Sequence, residues 1–360
     1  MVRDRGRRVQ QAALVQAMLA DLQAQRALTG PRALVSIFFG GGTPSLMAPD
    51  QAGGLIAAIR TLWAADSDLE VTLEANPTDA EAGRFAAFAD VGVNRLSLGV
   101  QALDDESLRF LGRNHDAAAA IRAAEAAAKA FPRLSLDLIY ALPGQATEAW
   151  RRELAAAVAL GAEHISPYQL TIEASTAFGR AVRRGAWRPA DEAVGEALYH
   201  ATQDTLSAAG FEAYEVSNHA RGLEARSRHN LIYWRGQDYV GVGPGAHGRL
   251  TIQGARVATR AAPGVEDYIR LVGETGLGWE DRETLSPVEA AEERLLAGLR
   301  TVEGVGLDEM VPLRLTRDSP ILADLVGAGR IDVADGRLIA TAAGRLVLDR
   351  ITAELATASS

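Results

Sequence analysis

Three glycines directly follow an apolar stretch near the N-terminus, in the segment Phe39-Gly40-Gly41-Gly42-Thr43-Pro44. Glycine lets a backbone approach a ligand closely, so such a loop exposes successive N–H and C=O groups. The loop lacks the Lys-Ser/Thr that ends a Walker phosphate loop, and its spacing misses the Gly-x-Gly-x-x-Gly dinucleotide fingerprint. The segment therefore indicates either a ligand-holding loop of another kind or a tight turn between a strand and a helix.

Polar side chains stand at or near the ends of three later apolar stretches. Glu74 and Gln101 close two of them, and Asp137 lies within the third. Because the carboxyl ends of parallel strands meet at one edge of a sheet or barrel, we expect these side chains to converge. A buried carboxylate costs several kcal/mol unless it is paired. Asp137 therefore faces either a ligand or an arginine, for which Arg95 and Arg113 are the candidates.

The six histidines are not spaced as metal ligands are. His229 stands in the segment Arg228-His229-Asn230-Leu231-Ile232-Tyr233-Trp234, and His247 ends Gly243-Pro244-Gly245-Ala246-His247. An imidazole beside an aromatic pair suits a flat apolar ligand, with the ring nitrogen as an axial iron ligand. The alternative for each position is a hydrogen-bonded structural histidine.

Composition excludes several classes of protein. The chain has 360 residues, a net charge of −9 and no cysteine. Without cysteine, this chain cannot form disulfides, thiolate zinc sites, cysteine nucleophiles or cysteine-ligated iron–sulfur clusters. No basic patch suits nucleic-acid phosphates, no apolar run approaches the roughly 18 residues of a membrane span, and the N-terminus does not read as a secretory signal. We therefore expect a cytoplasmic protein with no nucleic-acid partner and no membrane span.

The elements that position these residues alternate between strand and helix patterns, which indicates the α/β class. In the strands predicted at 69–73, 95–100 and 134–140, Leu and Val alternate with polar residues. Strands buried on both faces would be apolar throughout, and the lumen of an ordinary (β/α)₈ barrel is apolar. One polar face on strand after strand predicts a partial, open barrel of about five or six strands whose polar lumen holds a polar ligand.

We divide the chain into a partial barrel over 1–216, a loop-rich region over 217–286 and a winged-helix-like domain over 287–360. The last contains a hairpin that turns at Asp335-Gly336. Between Pro320 and Leu355 four arginines face five acidic residues, which favours a structural or docking role over DNA binding. Helices are predicted at 7–27, 79–91, 104–111, 117–130, 146–160, 191–208, 287–299, 321–326 and 342–356.

Six motifs occur in order along the chain, and together they are highly specific. The sequence resembles the radical SAM family of oxygen-independent coproporphyrinogen III oxidase-like proteins. The segments around His229 and His247 are similar to the heme chaperone branch rather than to the oxidase. The motifs are Phe38-Phe39-Gly40-Gly41-Gly42-Thr43-Pro44-Ser45, Glu74-Ala75-Asn76-Pro77, Arg95-Leu96-Ser97-Leu98-Gly99-Val100-Gln101, Gly112-Arg113-Asn114-His115, Asp137-Leu138-Ile139-Tyr140-Ala141-Leu142-Pro143-Gly144-Gln145 and Ser166-Pro167-Tyr168.

The resemblance implies a partial (β/α)₆ barrel that lacks its first strand, followed by a C-terminal α/β region. It implies a heme chaperone that delivers heme to client proteins, with a membrane-associated client as one alternative. Two alternatives remain for the function: the chain is an enzyme for the oxidative decarboxylation of a porphyrinogen, or it is an inactive, truncated fragment. The implied S-adenosylmethionine contacts are Gly40, Gly41, Gly42, Thr43, Glu74, Gln101, Arg113, Asp137, Leu170 and His247, and the implied heme contacts are His229, Tyr233 and Trp234.

The sequence departs from the family pattern in one respect. The family carries Cys-x-x-x-Cys-x-x-Cys, whose thiolates hold a [4Fe–4S] cluster, and this chain has no cysteine. The segment Val2-Arg3-Asp4-Arg5 resembles the sequence that follows the cysteine loop in the family. Two expectations result: an N-terminal segment is missing, or the protein is a cluster-free paralogue. The mass and N-terminal sequence of the native protein distinguish them.

Overall fold

The structure is a computed structural model that describes residues 2–42 and 44–357. The elements of its first part are α1 (Val2–Thr29), β1 (Ala33–Phe39), α2 (Pro49–Leu62), β2 (Ala64–Ala75), α3 (Asp79–Ala82), α4 (Phe85–Asp90), β3 (Arg95–Gln101), α5 (Asp105–Phe110), α6 (Ala117–Ala130), β4 (Arg133–Tyr140), α7 (Thr147–Ala159), β5 (His164–Gln169), α8 (Ala177–Arg183), α9 (Glu192–Ala208), β6 (Glu212–Glu215) and β7 (Asn218–Ala220).

The second part contains α10 (Arg228–Trp234), β8 (His247–Ile252), β9 (Ala255–Ala261), α11 (Val265–Thr275), β10 (Trp279–Thr284), α12 (Pro287–Gly298), β11 (Val305–Gly306), α13 (Pro320–Gly327), β12 (Ile331–Ala334), β13 (Arg337–Ala340), α14 (Ala342–Arg345) and α15 (Leu348–Thr357). No helix in the described ranges is long and apolar enough to cross a membrane.

One sheet has the strand order β1-β2-β3-β4-β5-β7-β6. The strands β2, β3, β4 and β5 pair in parallel, with Glu74 beside Ser97 and Asp137 beside Ser166. The strand β7 reverses direction, because it runs antiparallel to both β5 and β6, and β6 therefore runs in the same direction as β5. Helices connect the parallel strands, which confirms the predicted α/β class.

The alternation in the strand sequences sorts their side chains between two faces. On β3, Leu96, Leu98 and Val100 are fully buried, whereas Ser97 and Gln101 are only half-buried. The apolar face is covered by α6, which contacts β3 and β4. The opposite face is polar, as predicted, because alternate side chains of a strand point to opposite faces of the sheet and the polar ones point away from the helices.

The chain divides into two compact units. The first unit contains Met1–Ile37, Asp50–Leu69 and Ser227–Ser360, and the second unit contains Phe38–Pro49 and Glu70–Arg226. The second unit is therefore assembled from two separate segments and the first from three. The three-part division at residues 216 and 286 stays a prediction.

In the first unit, α1 packs against α11 through an apolar cluster that includes Ala17, Val272 and Tyr268. Two buried polar side chains of α1 lie beside this cluster. The Tyr268 hydroxyl donates to Asp21 Oδ2 at 2.7 Å, and Gln25 Nε2 donates to the Gly241 carbonyl at 3.0 Å. Burial raises the pKa of Asp21 despite the hydrogen bonds that its carboxyl accepts from Tyr268 and Gln25. The contacts attach α1 to the loop that precedes β8.

The region 217–286, predicted to be rich in loops, contains α10, α11 and a sheet of order β10-β9-β8. An alternation of apolar and polar residues does not predict this sheet, because β10 has no apolar face. Only Trp279 is half-buried, and the rest of the strand is exposed. Two predicted helices are interrupted. The one at 79–91 breaks between α3 and α4 at Gly83-Arg84, and the one at 342–356 breaks between α14 and α15.

Candidate functional site

The glycine loop of the second unit leaves β1 in a left-handed turn. Gly41 and Gly42 have φ of +77° and +61°, values that favour glycine over any other residue. A Cβ atom at Gly40 would collide with the Phe38 ring and meet Glu74 Oε2 at 3.1 Å. The Gly41 N–H donates to the same Glu74 oxygen at 3.1 Å. The three glycines thus form a bare backbone surface beside a carboxylate.

A cavity of about 180 Å³ opens at the carboxyl ends of the parallel strands, beside the glycine loop. Its size suits part of a small polar molecule, since pockets for whole ligands span about 300–1,000 Å³. It contains four of the predicted contacts. The lining residues are Gly42, Pro44, Glu74, Ala75, Asn76, Ser97, Gly99, Gln101 and Asp137.

The two carboxylates of the cavity both resist ionisation. Burial is the main cause that raises the pKa of Glu74, and the negative charge of Asp137 raises it further. Burial also raises the pKa of Asp137. Two weaker effects lower it: the Ser97 hydroxyl donates a hydrogen bond to Oδ2 at 3.0 Å, and the positive charge of Arg95 attracts the carboxylate. Two like charges in one small cavity favour a cationic ligand, because a cation relieves their repulsion.

Gln101 ends β3 with a φ of +67°, an uncommon backbone conformation for a non-glycine residue. Its side chain folds back over Gly99, where a Cβ atom would lie 2.8 Å from Gln101 Nε2. The cavity wall thus presents an amide next to the two carboxylates. This arrangement requires glycine at position 99, because any side chain there would displace the Gln101 amide.

The remaining predicted contacts are placed differently. Arg113 has an exposed side chain, and none of the described residues forms an ion pair with it; partial desolvation lowers its pKa. The Leu170 N–H donates to the Tyr140 carbonyl at 2.9 Å, just after β5. Neither residue is among those that line the cavity. Thr43 lies outside the described residues. His247 belongs to the first unit, where it begins β8 with an exposed side chain.

Sequence reasoning missed a buried polar layer that starts two residues before Asp137 on β4. Ser135 Oγ and His164 Nδ1 share a hydrogen bond of 2.8 Å, and His164 Nε2 and the Tyr214 hydroxyl share another of 2.8 Å. Burial, followed by the charge of Arg95, holds the pKa of His164 well below its ordinary value, so the ring is neutral. A lone histidine at the start of a strand gives no sequence signal for such a layer.

In the first unit, His229 and Tyr233 lie one helical turn apart on α10. Ser227 caps this helix, accepting a hydrogen bond from the Asn230 N–H at 3.2 Å. Ser36 Oγ and His229 Nδ1 share a hydrogen bond of 3.2 Å, and the rings of His229 and Tyr233 meet edge to face at 4.8 Å between centroids. A second tyrosine, Tyr239, follows at 4.3 Å from Tyr233. The histidine is therefore oriented by β1 and flanked by aromatic rings.

Trp234 does not share this contact. Its carbonyl accepts from Arg294 Nη1 at 3.0 Å, and the Arg300 guanidinium lies 4.9 Å from the centre of its ring. Its buried Nε1 finds no hydrogen-bond partner in the described part of the chain. Of the three predicted heme contacts, the structure brings His229 and Tyr233 together and turns Trp234 toward α12.

The described part of the chain forms no donor set for a metal centre. Among the described residues no three histidine, aspartate or glutamate side chains cluster as metal ligands, and the chain has no cysteine. A [4Fe–4S] cluster is held by thiolates, with histidine replacing them only in special cases. The residues of this chain therefore do not fit the cluster, whereas the cavity with its bare glycine backbone, two carboxylates and amide fits a zwitterionic, cationic molecule.

Comparison with known proteins gives concordant results. Residues 13–156 match the Radical SAM superfamily. The chain is 42% identical over 304 residues to radical S-adenosyl methionine domain-containing protein 1, mitochondrial, of Bos taurus, which covers 83% of this chain and 69% of that protein. It is 34% identical over 336 residues to heme chaperone HemW of Bacillus subtilis (89% and 85%), and 35% identical over 341 residues to HemW of Mycobacterium tuberculosis (94% and 85%).

A solved structure shares the fold. Coproporphyrinogen III oxidase (HemN) from Escherichia coli, described as a radical SAM enzyme, superposes with a TM-score of 0.76 at 20% sequence identity. The match covers 97% of this chain and 84% of that one. At this identity the likeness concerns the fold alone, and it confirms the predicted partial barrel with a C-terminal α/β region.

Proposed function

The chain belongs to the family of radical SAM proteins that includes the HemW heme chaperones, and on that premise we propose that it binds heme and delivers it to client proteins. Its second ligand is S-adenosylmethionine, and its compartment is the cytoplasm. The observation that carries the proposal is the placement of the His229 imidazole in this chain, where it is hydrogen-bonded to Ser36 and flanked by Tyr233. Imidazole is a common protein ligand of heme iron, and aromatic rings suit the flat macrocycle.

The cavity of the second unit supports binding of S-adenosylmethionine. This ligand carries a sulfonium and an ammonium, both attracted by the Glu74 and Asp137 carboxylates, and a carboxylate that a free guanidinium such as Arg113 can receive. When bound with a reduced cluster, S-adenosylmethionine supplies a carbon radical. The cluster does not fit the residues of this chain, and so the proposed function contains no radical step.

The heme assignment is tested by titrating the purified chain and its His229→Ala variant with ferric heme, following the Soret absorption. We expect the variant to bind at least about tenfold more weakly and with a changed spectrum, because the axial ligand is removed. His200→Ala is the matched control, because His200 is an exposed histidine of the second unit that pairs with Glu196. A His229→Ala variant with unchanged affinity and spectrum would overturn the assignment.

A further inference from the structure

One buried carboxylate joins the glycine loop to the end of β2. Glu81 Oε2 accepts hydrogen bonds from the Ser45 hydroxyl and from the Asn76 N–H, the latter at 2.8 Å. Glu81 Oε1 accepts from the Thr78 hydroxyl at 3.4 Å. Ser45 follows Gly42 by three residues and is fully buried, and Asn76 lines the cavity. A single oxygen therefore connects the two chain segments that form this wall of the cavity.

Arg84, three residues after Glu81, holds the same loop from its other side. Its Nη1 donates to the Ser45 carbonyl at 2.6 Å and its Nη2 to the Met47 carbonyl. The guanidinium also lies over the Phe88 ring, 5.2 Å from the ring centre. The short 3₁₀ turn at Pro44–Leu46 is thus attached at its side chain by Glu81 and at its backbone by Arg84.

Packing alone does not hold the glycine loop. A Cβ atom built at Gly41 or at Gly42 would meet no described atom within 4 Å, so these residues have open space beside them. Glycine also has the largest conformational freedom of any residue. The hydrogen bonds that hold the loop include the contact of Gly41 with Glu74, the attachment of Ser45 to Glu81 and the two bonds from Arg84.

We propose that Glu81 is a positioning residue for S-adenosylmethionine: it holds the glycine loop against β2, so that the loop's backbone groups are preorganised before the ligand arrives. This inference rests on the proposed binding of S-adenosylmethionine. Glu81 is not among the residues that line the cavity, and so it acts through Ser45 and Asn76 rather than by touching the ligand. A preorganised loop loses less conformational entropy on binding, which raises affinity without any new contact.

Ser45→Ala tests the proposal with a minimal change, because it removes only the hydroxyl that joins the loop to Glu81. We expect faster amide hydrogen exchange in the segment 40–47 of the ligand-free protein and a roughly fivefold larger Kd for S-adenosylmethionine by calorimetry. The melting temperature should fall modestly, because the buried Glu81 carboxylate loses one hydrogen bond. Thr78→Ala is the matched control, since it removes the hydroxyl on the other Glu81 oxygen and leaves the link to the loop intact.

Two variants of Glu81 separate positioning from general damage. Glu81→Gln retains an oxygen that accepts from Ser45 and Asn76 and should bind nearly as the wild type does, whereas Glu81→Ala should repeat the effect of Ser45→Ala. Unchanged exchange in Ser45→Ala, or faster exchange without weaker binding, would overturn the proposal. A wild-type chain that does not bind S-adenosylmethionine would instead refute the proposed function, while the exchange measurement would still show whether Glu81 holds the loop.

Discussion

Glu74 and Asp137 are held at a cost to the ligand-free protein. Their carboxyl groups share one cavity, and burial raises the pKa of each. The cost of burying the Asp137 carboxylate is offset in part by Ser97 and Arg95, and the cost of burying Glu74 is offset in part by the Gly41 N–H. Groups that are unfavourable when a site is empty and favourable when a cation fills it are typical of binding sites. The two carboxylates therefore give the site a dependence on pH that can be measured.

Binding of S-adenosylmethionine should strengthen as the pH rises. Both carboxyls have raised pKa values, so they are protonated at a higher pH than ordinary carboxyls and attract the cationic ligand only once they lose the proton. Affinity should thus fall as the pH is lowered through the raised pKa values. Calorimetry from pH 4, near the ordinary carboxyl pKa, up to pH 8 measures this, and Glu74→Gln should flatten the profile. A wild-type Kd that is constant over this range would contradict the role of the carboxylates.

Glu74→Gln should also stabilise the ligand-free protein at neutral pH. A carboxyl whose pKa is raised above its ordinary 4.5 on folding makes the folded state lose stability as the pH rises through the interval between the two values. Glutamine removes this loss and keeps an oxygen for the Gly41 N–H. We expect a melting temperature higher by about 2 °C at pH 7.5 and no gain at pH 4, measured by calorimetric unfolding. A lower melting temperature at pH 7.5 would show that Glu74 stabilises the empty site.

At the scale of elements, α10 positions His229, and this helix is held by its N-cap and by two contacts with other elements. Ser227 caps the helix, the Arg228 guanidinium pairs with Asp68 at 2.6 Å, and Ser36 contacts the imidazole. A helix of seven residues is marginal by itself, so it depends on these contacts and on the burial of Leu231 and Ile232. The orientation of the histidine therefore depends on the start of the helix.

Ser227→Ala should weaken heme binding through the helix rather than through the ligand. Loss of an N-cap costs about 1 kcal/mol, and we expect a heme Kd raised by roughly threefold to fivefold. Ser286→Ala is the matched control, because Ser286 forms a capping box with Glu289 at the start of α12. Both variants should lose similar stability in denaturant unfolding, while only Ser227→Ala changes heme affinity. Equal heme affinity in the two variants would disconnect α10 from the heme site.

The elements also differ in how far the sequence predicts them. The strands β3 and β4 follow from their sequences, because each buries one apolar face and the alternation is preserved. The sheet of β8, β9 and β10 does not, since β10 is exposed along most of its length and carries charges where an apolar face would stand. Its position is set by pairing with β9, which is a long-range property.

The candidate site shows the same division. The glycine loop, Glu74 and Gln101 lie at or near strand ends and Asp137 lies within β4. Because parallel strands bring these positions together, the sequence predicts their convergence. The role of Glu81 cannot be predicted from the sequence in this way, because it depends on Ser45, which lies 36 residues away. Residues that act through a second residue leave no local pattern.

At the scale of the molecule, the two proposed ligands belong to different units. Gly40–Gly42 and Gln101 lie in the second unit, whereas His229 and His247 lie in the first. We expect S-adenosylmethionine to slow amide hydrogen exchange around Gly40–Gly42 and Gln101, and heme to slow exchange in α10. Protection of α10 by S-adenosylmethionine alone would contradict the heme assignment.

The interleaving of the units has a consequence for synthesis on the ribosome. The second unit is complete once Arg226 has emerged, but α1 must wait for its partner α11, as Asp21 and Tyr268 are 247 residues apart. At 5–20 residues per second this wait lasts roughly 12–50 s. Throughout it, Leu14, Ala17 and Met18 of α1 lack the apolar partners that α11 supplies in the folded protein. The helix α1 is thus synthesised well before the residues that bury it.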